Sequence, residues 1–172
     1  MTKSIDFYFD FISPYSYLAY KKIDKLSEIN INYKPILLGG LHKLGGITAP
    51  AFNERKMKNM KNDCELVAKK NNIQFKWNTK FPINSLSLMR GYLVVKPELK
   101  KEYFNNCFEA YWKNNIDISI EKNIKEILKN TNVDEINFFK KISLKQVKED
   151  LKELTNTAFK NDIFGAPTFV VN

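Results

Sequence analysis

Phe7-Tyr8-Phe9-Asp10-Phe11-Ile12-Ser13-Pro14-Tyr15-Ser16-Tyr17-Leu18-Ala19 contains a change of structural period. Ile5 to Phe9 is β-prone and mostly apolar and reads as a buried strand. Asp10 to Ser13 is a short connection. Pro14 then falls at a first helical position, where its fixed φ suits the helix and its missing N–H costs nothing. Tyr15 to Leu26 continues as a helix, with Tyr17, Leu18, Ile23 and Leu26 as its inward residues. Ile31 to Leu38 reads as a second strand, ended by Gly39-Gly40. Strand, helix, strand is the opening of an α/β fold.

Working outward, residues 41 to 51 (LHKLGGITAPA) read as a loop marked by glycine and proline. From about Phe52 to Ile142 the period is mostly helical. Leu99, Tyr103, Phe104, Cys107, Phe108 and Tyr111 share one helix face, and Ser85 opens a helix carrying Leu86, Met89 and Leu93. Ser143 with Gln146 has the spacing of a capping box. It would open a helix with Leu144, Val147, Leu151, Leu154 and Ala158 on one face. Phe164 to Val171 then reads as a glycine-proline turn feeding a strand. The expected plan is one domain over 1–172. Its α/β part covers about 1–50 and 143–172, and a helical insertion of about 51–142 packs on it rather than hanging from a linker.

The composition suits this plan. Of 172 residues, 44% are hydrophobic and 13% aromatic, enough for a sizeable core. The formal net charge of +9 raises nucleic acid as a partner. Against it, Arg55 and Arg90 are the two arginines and the lysines are spread along the chain, whereas base and phosphate readout calls for clustered arginine. No nucleic acid is expected, and a basic surface favours small anions. Cys64 and Cys107 lie far apart in no motif and read as small buried residues on helices; with no Cys/His cluster, no metal is expected. No apolar run is long enough for a membrane span, and no charged-then-apolar leader precedes Ile5, so the expectation is a reducing cytoplasm. The one histidine, His42, reads either as a loop residue near a strand end or as an active group.

Two constellations bear on chemistry. Ser13-Pro14-Tyr15-Ser16 sits at the strand-to-helix junction where thioredoxin-type oxidoreductases carry Cys-x-x-Cys. Backbone N–H groups and the helix dipole stabilise an anion there. With serine at both cysteine positions the site cannot form a disulfide. Ser13 is then either an ordinary N-cap or a hydrogen-bond donor to a thiolate that a ligand supplies, worth roughly 1.5–3 kcal/mol. The second constellation is Ala166-Pro167-Thr168, a proline just before a strand, which resembles the cis-proline turn of thioredoxin folds. The alternative is a trans proline in a plain turn.

Together with Gly39–Pro50 (GGLHKLGGITAP), Phe81–Gly91 (FPINSLSLMRG) and Phe164–Asn172 (FGAPTFVVN), these pieces resemble a known family over essentially the whole chain. It is the 2-hydroxychromene-2-carboxylate isomerase and kappa-class glutathione transferase family, within the DsbA-like thioredoxin superfamily. The resemblance implies a thioredoxin-like fold with a large all-helical insertion. It implies glutathione as cofactor, with Ser13 beside its sulfur and Ala166, before cis Pro167, pairing through its backbone N–H and C=O with the tripeptide. It also implies an anionic aromatic substrate, a homodimer, and an isomerase that works by reversible thiolate addition. The alternatives are a kappa-like transferase or a redox-inactive binding module. Lys43 matches a position near the isomerases' substrate carboxylate; its other reading is a solvated lysine. Asn84 is a substrate-site candidate or a helix cap before Ser85, and Arg90 reads as a structural ion-pair partner. Two departures accompany the match. Ile47 stands where the family loop has asparagine. The sequence stops at Asn172, where the family continues with a strand, an acidic glutathione-binding segment and a last helix, so these are expected to be lacking.

Overall fold

The structure, a computed structural model, describes residues 4–23 and 29–171. Leu26, expected on an inward helix face, and the final Asn172 lie outside the described residues. The described strands are β1 (Ser4–Phe9), β2 (Asn30–Pro35) and β3 (Thr168–Val171). They form a mixed sheet in the order β2-β1-β3. β1 pairs in parallel with β2, placing Phe7 opposite Tyr33. It pairs antiparallel with β3, placing Phe7 opposite Phe169. Between β1 and β2 runs α1 (Pro14–Ile23), which starts on proline as the sequence predicts.

The stretch after β2 differs from expectation. The strand ends at Pro35, and Gly39-Gly40 lie inside a short helix, α2 (Leu38–Leu44), which also takes up His42 and the start of the expected loop. Long-range bonds fix its start: Leu37 N–H donates to Thr155 Oγ1 (2.9 Å) and Leu38 N–H to Asp10 Oδ2 (2.8 Å). Gly40 faces the later helix, where a Cβ would stand in ordinary contact with Thr155.

The helical region comprises α3 (Glu54–Lys70), α4 (Leu86–Val94), α5 (Lys100–Trp112), α6 (Glu121–Lys129), α7 (Glu135–Ser143) and α8 (Lys145–Lys160). Of the expected α5 face, Tyr103, Phe104, Cys107, Phe108 and Tyr111 are buried, joined by Ala110 and Trp112, while Leu99 lies in the turn before the helix and is half-buried. The expected capping box is absent. Ser143 closes α7, its hydroxyl donating to the Lys140 carbonyl, while Gln146 donates to Asp150 one turn on. Leu144 has extended backbone and separates the two helices. The buried stripe of α8 is Val147, Leu151, Thr155 and Ala158; Leu144 and Leu154, expected inward, are exposed.

The inserted helices and the sheet share one core. Phe7 and Phe9 project from β1 into it, and Phe11 follows. Phe9 meets Phe104 of α5 edge-on at 4.6 Å, and Phe11 meets Phe108 at 5.0 Å. A smaller cluster of Ile36, Leu41, Ala158 and Ile163 joins α2 to α8. Burying each such phenylalanine contributes about 1.5–3 kcal/mol, so the insertion supports the strand that carries the site.

Candidate active site

The β1–α1 connection is held from several sides. Phe11 N–H donates to Met89 Sδ of α4 (3.4 Å), and its carbonyl accepts from Trp112 Nε1 of α5 (2.9 Å). Ile12 N–H donates to Asp10 Oδ1 (3.1 Å), and Ser13 N–H to the Asp10 carbonyl (3.0 Å). Ser13 is therefore presented on a rigid element, just before the first turn of α1.

The Ser13 hydroxyl donates to the Ala166 carbonyl at 2.8 Å and accepts from the Ser16 N–H at 3.1 Å. The two sequence constellations, 153 residues apart, are thus in direct contact. Ala166–Pro167 is cis. The Ala166 carbonyl, expected to pair with a ligand, accepts the one proton Ser13 has to give, and a carbonyl oxygen has a second lone pair for another donor. Ser16, the other serine of the motif, does not line the cleft. Its hydroxyl is buried with no hydrogen-bond partner.

A cleft of about 600 Å³ opens over Ser13 and Ala166, within the size range of small-molecule sites. Its walls come from α1, α2, the 50–52 turn, Met60 of α3 and the Phe81–Leu86 segment. That segment contains a second cis bond, Phe81–Pro82, which the sequence does not announce. Most lining groups are apolar, and Phe52 at the rim is largely exposed. Asn84 lines the cleft, and its Oδ1 accepts from Leu86 N–H at 2.8 Å at the start of α4.

Lys43 is not brought into this site. It is exposed on α2 and absent from the cleft wall, while its neighbour His42 is part of the wall. One helical step separates them by about 100°, which turns one in and the other out. Ile47 is exposed and also outside the lining. Arg90, expected as an ion-pair partner, makes no ion pair among the described residues. Its Nε is buried without a hydrogen-bond partner among the described residues.

The sequence alone does not single out Asp10. The signal was present: a lone acid within an otherwise apolar aromatic run, just before the turn. It is 1% exposed and lies against the cleft. Oδ1 accepts from Ser85 Oγ (2.7 Å) and Ile12 N–H, and Oδ2 from Leu38 N–H. Burial raises its pKa above 3.8, outweighing those bonds, which act the other way. Burial lowers the pKa of His42, so its imidazole is neutral in the neutral range. Tyr15, at the rim, donates to Asp63 Oδ2 (2.8 Å), and burial with that carboxylate raises its pKa.

Both cysteines are free and buried. Burial pushes the Cys64 thiol up to about 12 and raises Cys107 as well, so neither is a reactive thiolate near neutral pH. Among the described residues, no group of His, Cys, Asp and Glu could hold a metal ion, and no helix is long and apolar enough to cross a membrane.

Comparison with known proteins agrees with this architecture. A model of the DSBA-like thioredoxin domain matches residues 4–172. Human glutathione S-transferase kappa 1 is 26% identical over 186 residues, covering 100% of this chain and 82% of the relative. The 2-hydroxychromene-2-carboxylate isomerase of Pseudomonas putida is 28% identical over 170 residues, covering 95% and 83%. A solved structure of a 2-hydroxychromene-2-carboxylate isomerase superposes with a TM-score of 0.90 at 26% identity, covering 98% of this chain and 85% of that one. The fold is thioredoxin-like with a helical insertion, and the relatives are enzymes named as isomerases and transferases.

Proposed function

We propose that the chain, which belongs to the DSBA-like thioredoxin family, is a glutathione-dependent isomerase acting on 2-hydroxychromene-2-carboxylate or a related aromatic 2-oxo acid. The observation that carries this reading is the contact of the Ser13 hydroxyl with the Ala166 carbonyl at the cleft floor. A hydroxyl and a peptide edge side by side fit the thiol and the backbone of a small peptide. Among the described lining residues there is no lysine or arginine, so the carboxylates of such a peptide belong toward solvent. When bound, glutathione supplies a thiolate that adds reversibly to a conjugated double bond and lets it rotate as a single bond.

The protein's own part is orientation and electrostatics. Ser13 has one proton and gives it to Ala166 in the free protein. To hold a sulfur anion it turns from that carbonyl, which becomes free to accept from the ligand's N–H. The helix dipole of α1 favours the anion at the same place. The apolar walls exclude water and strengthen both effects. Lys43 acts from outside the cleft, attracting an anionic substrate at range.

The test is Ser13→Ala assayed with glutathione and 2-hydroxychromene-2-carboxylate. Loss of one charge-assisted hydrogen bond, about 1.5–3 kcal/mol, predicts a roughly ten- to hundredfold fall in turnover and a higher pKa of the bound thiol. Turnover like that of the unmodified protein would sink the reading. The similarity to human glutathione S-transferase kappa 1 supports a second reading, conjugation of glutathione to an electrophile. Counting free thiols before and after turnover separates the two, because an isomerase returns its glutathione.

A further inference from the structure

The cleft contains six polar side chains: Asp10, Ser13, Tyr15, His42, Asn84 and Ser85. Most are already committed. Ser13 donates to Ala166, Tyr15 to Asp63 and Ser85 to Asp10, while Asp10 accepts from its own neighbours. Asn84 spends its oxygen on Leu86, and its residue is exposed at the rim. His42 is different. Its ring makes no hydrogen bond among the described residues, it is half-buried, and it faces the cleft from α2.

We infer that His42 is the group that receives the carbonyl oxygen of a conjugated aromatic substrate, donating a ring N–H to it. This rests on the reading above, which places such a substrate in the cleft beside Ser13. A neutral imidazole carries one N–H and gives it without bringing a charge into apolar walls. Attack along a conjugated carbonyl drives negative charge onto that oxygen. A donor to the charged form is about twice as strong as to the neutral one, so the bond grows as the reaction advances. Asp10, a carboxylate, has nothing to donate when ionised. No lysine or arginine among the described lining residues competes for the role.

The experiment uses benzylideneacetone, a neutral conjugated ketone, without glutathione. Hydrogen bonding to its carbonyl moves its ultraviolet absorption to longer wavelength. The unmodified protein is expected to bind it with such a shift. His42→Phe should lose the shift and about two- to tenfold in affinity. His42→Gln, which keeps an N–H donor, should restore part of both, and Lys43→Ala should change neither. Equal melting temperatures among the variants show that folding is intact. The proposal is overturned if the unmodified protein gives no shift, or if His42→Phe gives the same shift as the unmodified protein. Glutathione binding, followed separately by the absorption of its thiolate, tells failure here from failure of the isomerase reading. A protein that binds glutathione but shows no His42-dependent shift refutes this assignment alone.

Discussion

Ser13 and Ser16 stand one helical turn apart, yet they play unlike parts. Ser13 lines the cleft and has both a donor and an acceptor partner. The Ser16 hydroxyl is buried at 0% exposure with no partner, and leaving such a group unsatisfied costs about 1–3 kcal/mol. Ser16→Ala is therefore expected to stabilise the protein by about 1 kcal/mol and to leave glutathione binding unchanged. Urea denaturation and calorimetry read the two effects. A marked loss of stability would mean that the hydroxyl does have a partner; a loss of binding would mean that Ser16 takes part in the site. The pair shows why the substitution of both motif cysteines is asymmetric in effect. One position faces the cleft and the other faces the core.

At the scale of elements, α4 positions the site from behind. It carries Met89, which receives the Phe11 N–H, and follows Ser85, which donates to Asp10. It lies so close to α5 and α7 that a Cβ on Gly91 would overlap the Tyr103 hydroxyl and the Phe138 ring. Both neighbours are buried, and Tyr103 is fixed by its bond to the Leu88 carbonyl. Gly91→Ala should cost about 1–3 kcal/mol through overpacking, seen as a lower denaturation midpoint. An unchanged midpoint would show that these helices can separate without strain. The order β1, α1, β2 is legible because Pro14 and the change of period are local signals. The helix α2 is not, because Gly39-Gly40 reads as a break and the bonds that start α2 come from Asp10 and Thr155, far along the chain. The spacing of Ser143 and Gln146 imitates a cap, but one extended residue, Leu144, moves the helix start past it. In the site, Ser13 and Ala166 are legible because each sits in a recognisable local motif. His42 is not, because its direction depends on the helix that the glycines conceal.

Across the whole molecule, Asp10 is where three distant parts meet. Its carboxylate joins the β1–α1 connection, the start of α2 and the residue before α4, so the floor and two walls of the cleft share one group. Burial raises its pKa from 3.8, so the native state holds this proton more tightly than the unfolded chain does. The sign follows. Protonation favours the folded form, and the stabilisation is complete below the unfolded value near 3.8. It is lost as pH rises through the raised native value, at no more than about 1.4 kcal/mol per pH unit. Carboxylates such as Glu109, held low by Lys21 and Lys113, act in the opposite sense, so a single pH profile mixes both. The difference in unfolding free energy between the unmodified protein and Asp10→Asn isolates the group. Asn can still accept from Ile12 N–H and Ser85 Oγ through its oxygen, but its NH₂ meets the Leu38 N–H, donor against donor. The substitution should therefore cost least at high pH, where the carboxylate's own burial is most unfavourable. The excess stability of the unmodified protein should fall as pH rises above 3.8 and then level off. An excess that grows with pH would mean that the three donors outweigh burial, and that Asp10 stays ionised beneath the cleft.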